Sequence, residues 1–382
     1  MSKTSAASFE RKIRSGLARI AKLSVNKKNM TTPALLPVIN PHIQTITPAQ
    51  MKLMKVEGII TNAYIFQQSK TFQEIVQKNG IHSTLDFDGL IITDSGTFQS
   101  YIYGNEMVDP KDILTFQEKI GVDIATIVDI FTEPQHQEEK VEEAINLTYI
   151  RGKEAITHLN DICENDRLAI NGPIQGGIYP HLRKKATKLM KQLDFDVHPI
   201  GGIVPLMEAQ RYLEVVHIIA AVRSELGAGR PIHLFGCGHP HLFAISCALG
   251  ADLFDSAAYA LFARDNRLLT PIGTFRIDEL DYWPWPIPSA NGTTPKSLRK
   301  LPNDEKERKL ALLNLEASLG EIESIRNAIS EGTLWSLVEQ RCSTHAKLLE
   351  ALDGIRSMVK KNHPLGKILV DSERPIQHRV QH

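Results

Sequence analysis

The stretch Gly89-Leu90-Ile91-Ile92-Thr93-Asp94-Ser95-Gly96 is an apolar run that ends on an aspartate and then on small residues; Leu253-Phe254-Asp255-Ser256-Ala257-Ala258-Tyr259 repeats the arrangement near the middle of the chain's second half. One such aspartate is ordinarily the start of a turn or the cap of the next helix. Recurrence at several strand ends points instead to a β/α barrel, whose chemistry gathers where the C-terminal edges of its strands converge.

Working outward, apolar runs of strand length recur at residues 34–40, 58–64, 89–94, 123–130, 168–174, 198–204, 231–236 and 251–255. Amphipathic helical stretches lie between most of them, at 110–119, 137–160, 182–193 and 208–226, with a shorter one at 48–54. Eight strands buried on both faces and alternating with helices predict a parallel sheet closed into a (β/α)8 TIM barrel. The pattern changes at Tyr282-Trp283-Pro284-Trp285-Pro286-Ile287-Pro288, where repeated prolines exclude both a helix interior and a central strand. Beyond Pro302, Leu315, Leu319, Ile322, Ile325 and Ile329 recur at helical spacing; Gly332 interrupts the pattern and a further helix is expected over 334–361. The expected organisation is a basic arm or hairpin (1–30), the barrel (31–281), a loop and helical subdomain packed on it (282–361) and a loose tail (362–382).

The 382 residues are 42% apolar and 23% charged, the balance of a folded globular chain, and their formal net charge is zero. Nothing global draws such a chain to nucleic acid, so any contact must come from local patches. One patch is Lys3, Arg11, Lys12, Arg14, Arg19, Lys22, Lys27 and Lys28 against the single acid Glu10; it reads as a solvated basic arm or as a phosphate contact. Charges interrupt every candidate secretory core, no run approaches the length of a membrane span, and a cytoplasmic protein is expected. Cys163, Cys237, Cys247 and Cys342 are too scattered for a disulfide framework or zinc site and read as buried thiols.

The predicted C-terminal strand edges carry Asp94 and Phe98, Asp129, Gln175-Gly176-Gly177, Gly201-Gly202 and Asp255. Carboxylates, an amide, an aromatic ring and exposed glycine backbone at one mouth suit a planar heterocycle, with Phe98 stacking and Asp129, Gln175 and Gly202 pairing with its edge. His239 and His241 lack a third ligand nearby and are not read as a metal site.

With Asp94-Ser95-Gly96-Thr97-Phe98-Gln99, Gly172-Pro173-Ile174-Gln175-Gly176-Gly177 and Phe254-Asp255-Ser256-Ala257-Ala258-Tyr259, the chain resembles the tRNA-guanine transglycosylases. Ile203-Val204-Pro205-Leu206-Met207-Glu208 is similar to their archaeal, archaeosine-making branch. The resemblance implies a pentosyltransferase that replaces a guanine of tRNA, in the D-loop for the archaeal branch, by a 7-deazaguanine such as 7-cyano-7-deazaguanine. It implies Asp255 as nucleophile, Asp94 as general acid/base, and Phe98, Asp129, Gln175, Gly202 and Ile203 as the residues that hold the base. A carboxylate attacking C1′ through an oxocarbenium-like transition state, as in retaining glycosidases, suits this assignment. No redox cofactor or nucleoside triphosphate is needed. Since the target base must leave its stack, tRNA has to be gripped through its backbone, and Arg183, Arg264, Arg267 and the basic arm are candidate phosphate contacts.

In the family, three cysteines and one histidine bind a structural zinc just after the eighth strand. The matching positions here are Trp285, Ile287, Ala290 and Leu313, so zinc is expected to be absent and an apolar plug of Trp283, Trp285, Ile287 and Leu313 to stand in for it. Archaeal members also continue into an RNA-binding module, which makes a homodimer, or a heteromer with a separate RNA-binding subunit, the expected assembly. Two other readings stay open: a non-catalytic tRNA-binding accessory subunit, and a paralogue that inserts deazapurines into DNA. Retention of both Asp94 and Asp255 speaks against the first.

Overall fold

The computed structural model describes residues 4–97, 109–164 and 166–360. Phe98 and the expected tail at 362–382 lie outside them.

The chain opens with three antiparallel strands, β1 (Ala7–Ser15), β2 (Ala18–Val25) and β3 (Lys28–Thr32). Eight parallel strands follow: β4 (Ala34–Ile39), β5 (Gly58–Asn62), β6 (Leu90–Asp94), β7 (Ile124–Thr126), β8 (Ala169–Asn171), β9 (His198–Ile200), β10 (Ile232–Leu234) and β11 (Leu253–Ser256). Their order in the sheet is β8-β7-β6-β5-β4-β11-β10-β9. Parallel bridges Asn171–Val197 and Ile174–Ile200, with Gly172 N–H donating to Val197 O at 2.9 Å and Ile174 N–H to Pro199 O at 2.7 Å, join its two end strands. The sheet is thereby a barrel, and all eight expected strands are present.

Side chains alternate along each strand. Leu36, Ile60, Leu90, Ile92, Ile124, Ala169, Val197 and Leu253 form the apolar cluster inside the barrel; Leu35, Ile59, Ile91, Ala125, Ile170, Ile200, Ile232 and Phe254 face the surrounding helices. Continuing the inward set one step up the strands gives Asn62, Asp94, Thr126, Asn171 and Asp255. The lumen is therefore apolar below and polar at its upper rim.

The lower end of the lumen is stoppered by Leu23, Val25 and Met30 of β2 and β3, which join the inner cluster. Polar ties fix this stopper. Arg19 Nε donates to Asp252 Oδ1 at 2.7 Å, Lys28 pairs with Asp123 at 2.7 Å, Thr31 N–H donates to Glu57 at 3.0 Å, and Ser5 bonds Asp196. The hairpin expected from the sequence is thus present with a third strand, at the end of the barrel opposite the mouth. That placement takes Arg19, buried and paired, out of the phosphate reading of the basic arm, while Arg11, Lys12 and Arg14 lie exposed on β1.

Local chemistry sets the helix starts. Asp109 accepts the N–H groups of Lys111 and Asp112 at 2.9 Å, and Pro110 opens the helix Pro110–Lys119 where its missing N–H costs nothing. Beyond the barrel come a hairpin of β12 (Arg267–Thr270) and β13 (Gly273–Arg276), and the 29-residue helix Asn303–Glu331, ended by Gly332 in the left-handed region. The single helix expected over 334–361 is two, Leu334–Cys342 and Ala346–Lys360. Where the first helix ends, the Ser343 and Thr344 hydroxyls donate at 2.8 Å to the carbonyls of Gln340 and Arg341.

Ile287, Ala290 and Leu313 are buried members of the outer core, with Trp283 and Trp285 packed against it. Trp283 Nε1 donates to Thr293 O at 2.8 Å. The Arg341 guanidinium lies 5.0 Å over the Trp285 ring and makes two 2.9 Å bonds to buried Glu321. Trp285, Ile287, Ala290 and Leu313, the positions that the resemblance matches to zinc ligands, offer no zinc-binding atom, so these residues do not fit the metal.

Candidate active site

A cavity of about 680 Å³ opens at the upper rim, and Asp94, Asp129 and Asp255 all line it, with Asn62, Thr97, Gln175, Gly201, Gly202, Gly236 and His239. Among the described residues no Lys or Arg lines it. Three carboxylates from β6, the segment after β7 and β11 meet there because each occupies, or follows, the inward position that caps its strand.

Asp94 accepts Asn62 Nδ2 at 3.1 Å and the Gly96 N–H at 3.3 Å. The Asn62 amide is itself oriented, since its Oδ1 caps the next helix by accepting Ile65 N–H at 3.0 Å. Enclosure by protein, and then the charge of Asp129 with a smaller contribution from Asp255, push the Asp94 carboxyl up to about 7, against the Gly96 and Ser95 N–H groups. A carboxyl in that range gives and takes protons at neutral pH.

Asp129 Oδ2 accepts Gln175 Nε2 at 2.6 Å, and Gln175 Oε1 accepts the Thr132 hydroxyl at 3.0 Å, which fixes the amide's orientation. Thr132 Oγ1 also accepts Gly177 N–H at 3.2 Å. Burial raises the Asp129 pKa while the Gln175 and Thr97 side chains hold it down. Gly201 is required by contact and Gly202 by contact and conformation: a Cβ on Gly201 would stand 2.3 Å from Gln175 Nε2, and one on Gly202, at φ +71°, 2.7 Å from Thr132 O. Asp255 is tied through one oxygen, with Gly236 N–H donating to Oδ1 at 3.0 Å.

Asp94, Asp129, Gln175, Gly202 and Asp255 are therefore brought together as the strand-end reading expects. Ile203 is not: its side chain is fully buried in the outer core, so only its backbone is near the cavity. Arg183 is a correction. It has no exposed surface, its Nε and Nη1 donate to Gly177 O at 2.9 Å and Ile174 O at 2.7 Å, and burial lowers its pKa to about 9. Instead of meeting phosphate it braces the glycine turn that carries Gln175. Arg264 is half exposed and 3.6 Å from Glu307, while the Arg267 guanidinium stacks 3.9 Å over Phe262, a residue of the cavity wall.

Sequence reasoning missed Asn62, Thr132 and the cavity-facing His239. Asn62 had a signal, since it ends β5 as Asp94 ends β6; the Thr132 role depends on a loop no periodicity specifies. Burial, with the nearby Arg267 charge, lowers His239 to about 4, and its ring packs edge-on against Phe262 at 5.1 Å. Among the described residues no group of three His, Cys, Asp or Glu side chains is placed to hold a metal ion, and no helix is long and apolar enough to cross a membrane. All four cysteines are buried and unpaired.

Residues 14–347 match the family described as TGT, queuine tRNA-ribosyltransferase. The chain belongs to this family. Among its relatives, a tRNA-guanine(15) transglycosylase of Thermococcus onnurineus is 44% identical over 362 residues, covering 94% of this chain and 61% of that one. Proteins of the same name from Pyrococcus abyssi and Methanococcus aeolicus are each 46% identical, over 343 and 347 residues, covering 90% of this chain and 58% and 53% of theirs. This family member thus spans a little over half to about three fifths of the length of these curated relatives.

Proposed function

We propose that this chain exchanges a guanine of tRNA for a 7-deazaguanine such as 7-cyano-7-deazaguanine, acting as a pentosyltransferase in the cytoplasm. The observation that carries the reading is the convergence of Asp94, Asp129–Gln175 and Asp255 in one cavity, within a chain so similar to proteins named tRNA-guanine(15) transglycosylases. Position 15 of tRNA, in the D-loop, is the corresponding target.

In the first half-reaction an Asp255 carboxylate oxygen donates its electron pair to C1′ of the target nucleotide. The C1′–N9 bond breaks, its electrons leave with guanine, and protonated Asp94 supplies the proton. In the second half the incoming base gives its N9 proton to Asp94 and attacks C1′; the ester bond breaks and its electrons return to Asp255. Asp129 and Gln175, with the Gly202 backbone, hold the heterocycle's polar edge between these steps. The chemistry asks for no redox group, and the subdomain that carries zinc in the family is held here by Trp283, Trp285, Ile287 and Leu313. Assembly as a homodimer or with a separate RNA-binding subunit is part of the proposal, and Arg264 and Arg267 are the phosphate contacts it retains.

Labelled guanine, a tRNA transcript and the purified chain test the reading, with wild type run beside Asp255→Ala, and each with and without an RNA-binding subunit. Incorporation by wild type alone is expected. Binding of tRNA without incorporation under any condition assigns the chain an accessory role, and incorporation into DNA but not tRNA assigns it a different polymer.

A further inference from the structure

His233 is out of place. It faces the lumen from β10, at the level of Leu253 on β11, one inward layer below Asp255 and among apolar neighbours. Its exposure is zero. Its Nε2 lies 2.9 Å from Asp255 Oδ1, but the ring N–H is directed off the line between them, and neither ring nitrogen has a directed hydrogen-bond partner. The ring is held edge-on to Phe235, a residue of the cavity wall, with centroids 4.8 Å apart. A fully buried imidazole with both nitrogens unmatched is costly, and an apolar side chain would fill the layer without that cost.

We propose that His233 is a positioning residue for Asp255: with the proton on Nε2 it joins the Gly236 N–H in holding Oδ1, so that Oδ2 is the oxygen that bonds C1′. Among the described residues no hydrogen bond reaches Oδ2, whereas Oδ1 has both neighbours. Bonds of this kind are often misaligned in a free enzyme and tighten when substrate is bound. The two donors do not act equally on the two half-reactions. Once Oδ2 is esterified, Oδ1 is a carbonyl oxygen with little charge; as the incoming base displaces the ester, negative charge returns to the carboxylate and builds on Oδ1, where fixed donors stabilise it. His233 therefore serves chiefly the departure of Asp255, and its loss should leave enzyme trapped on RNA.

This inference rests on the proposed role of Asp255, and the test separates the two. Wild type, H233L, H233Q and D255A are mixed with end-labelled tRNA, quenched, and run on a denaturing gel; the adduct is then chased with excess guanine, and each protein's melting temperature is measured. The expected result is that H233L holds more adduct than wild type and releases it about a hundredfold more slowly, the effect of losing one such donor. H233Q, which keeps an N–H near the Nε2 position, should recover most of the rate, and D255A should form no adduct. Adduct in wild type with H233L indistinguishable from it overturns this inference alone, as does equal loss of adduct formation in folded H233L and H233Q. If H233L does not fold, H233Q decides: a chase within about tenfold of wild type supports the donor role, and loss of chase overturns it. Wild type that forms no adduct and exchanges no guanine overturns the functional reading as well.

Discussion

At the lower rim of the barrel, Asp123, Asp196 and Asp252 precede β7, β9 and β11, and each accepts an N–H from the opening residues of the neighbouring strand, from Ile91, Ile170 and Ile232 respectively at 2.8–2.9 Å. Each also meets a cation: Lys28, Arg167, and the pair Arg19 and Arg223. At the upper rim Asp94, Asp129 and Asp255 end or follow their strands, and among the described residues no Lys or Arg lines their cavity; they are held by the Asn62, Gln175 and Thr97 side chains and by backbone N–H groups, with the His233 ring 2.9 Å from Asp255. One residue type thus serves two ends. Where carboxylates are neutralised they pin strands and seal the stopper; where they are left to repel one another, as Asp129 and Asp255 act on Asp94, a carboxyl pKa is raised toward neutrality. The proposed assignment of the cavity at the upper rim rests on this asymmetry as much as on the fold.

The largest effect that tests the contrast is the exchange of activity for stability between ends. Asp255→Ala is expected to abolish guanine incorporation, by more than about 10³-fold as for loss of a covalent nucleophile, while urea denaturation shows little change. Asp252→Ala should do the reverse. It strands Arg19 and Arg223, both buried, and breaking a buried pair in this way costs about 3–5 kcal/mol. A similar loss of stability from both substitutions would erase the distinction between the rims.

A smaller effect follows from pH. Asp94, raised to about 7, is protonated at pH 6 and ionised at pH 8, so kcat/KM for tRNA should fall about tenfold per unit once pH exceeds 7, since guanine departs against the acid form. The linkage has a definite sign. A carboxyl whose folded-state pKa lies above its unfolded value of 3.8 binds protons more tightly when folded, so its contribution favours folding at low pH and is lost as pH rises through 4 to 7. Asp94→Asn should remove that dependence, and the melting temperature of the variant relative to wild type should rise between pH 5 and pH 8. A flat difference would mean that Asp94 is not enclosed with its neighbours' charges.

Most of the fold was legible because barrel strands are short, buried on both faces and rich in β-branched residues, so Leu90-Ile91-Ile92 and its counterparts stand out without any partner being known. Asp94, Asp129, Gln175 and Asp255 were legible by the same route, as the polar residues that end those runs. The pairing of Arg19 with Asp252 was not, since it joins residues 233 positions apart and no local pattern encodes it. His233 was hidden for a related reason. Its place beneath Asp255 depends on the register of β10 against β11, and within its own strand it is one polar residue between Ile232 and Leu234. The direction of the Ile203 side chain was not legible, because the residues after Gly202 turn into a short helix, Val204–Glu208, whose direction the strand period cannot give. Arg183 failed through residue type, as arginines are ordinarily at least partly exposed.

The smallest effect sharpens that last point. Arg267 keeps about a third of its side chain exposed, is 2.8 Å from Asp265 and stacks on Phe262 at the cavity wall, and the proposal makes it a contact to the backbone flanking an extruded base. Arg267→Ala should weaken tRNA binding only about two- to tenfold and lower the slope of log Kd against log salt by about one, the signature of a single lost phosphate contact. Arg183→Ala should leave that slope unchanged, because a guanidinium spent on Gly177 O and Ile174 O releases no counterion when RNA binds. It should instead reduce stability and loosen Gln175. A salt slope that moved with Arg183 and not with Arg267 would reverse the two assignments and place the RNA path over the glycine turn, on the opposite side of the mouth.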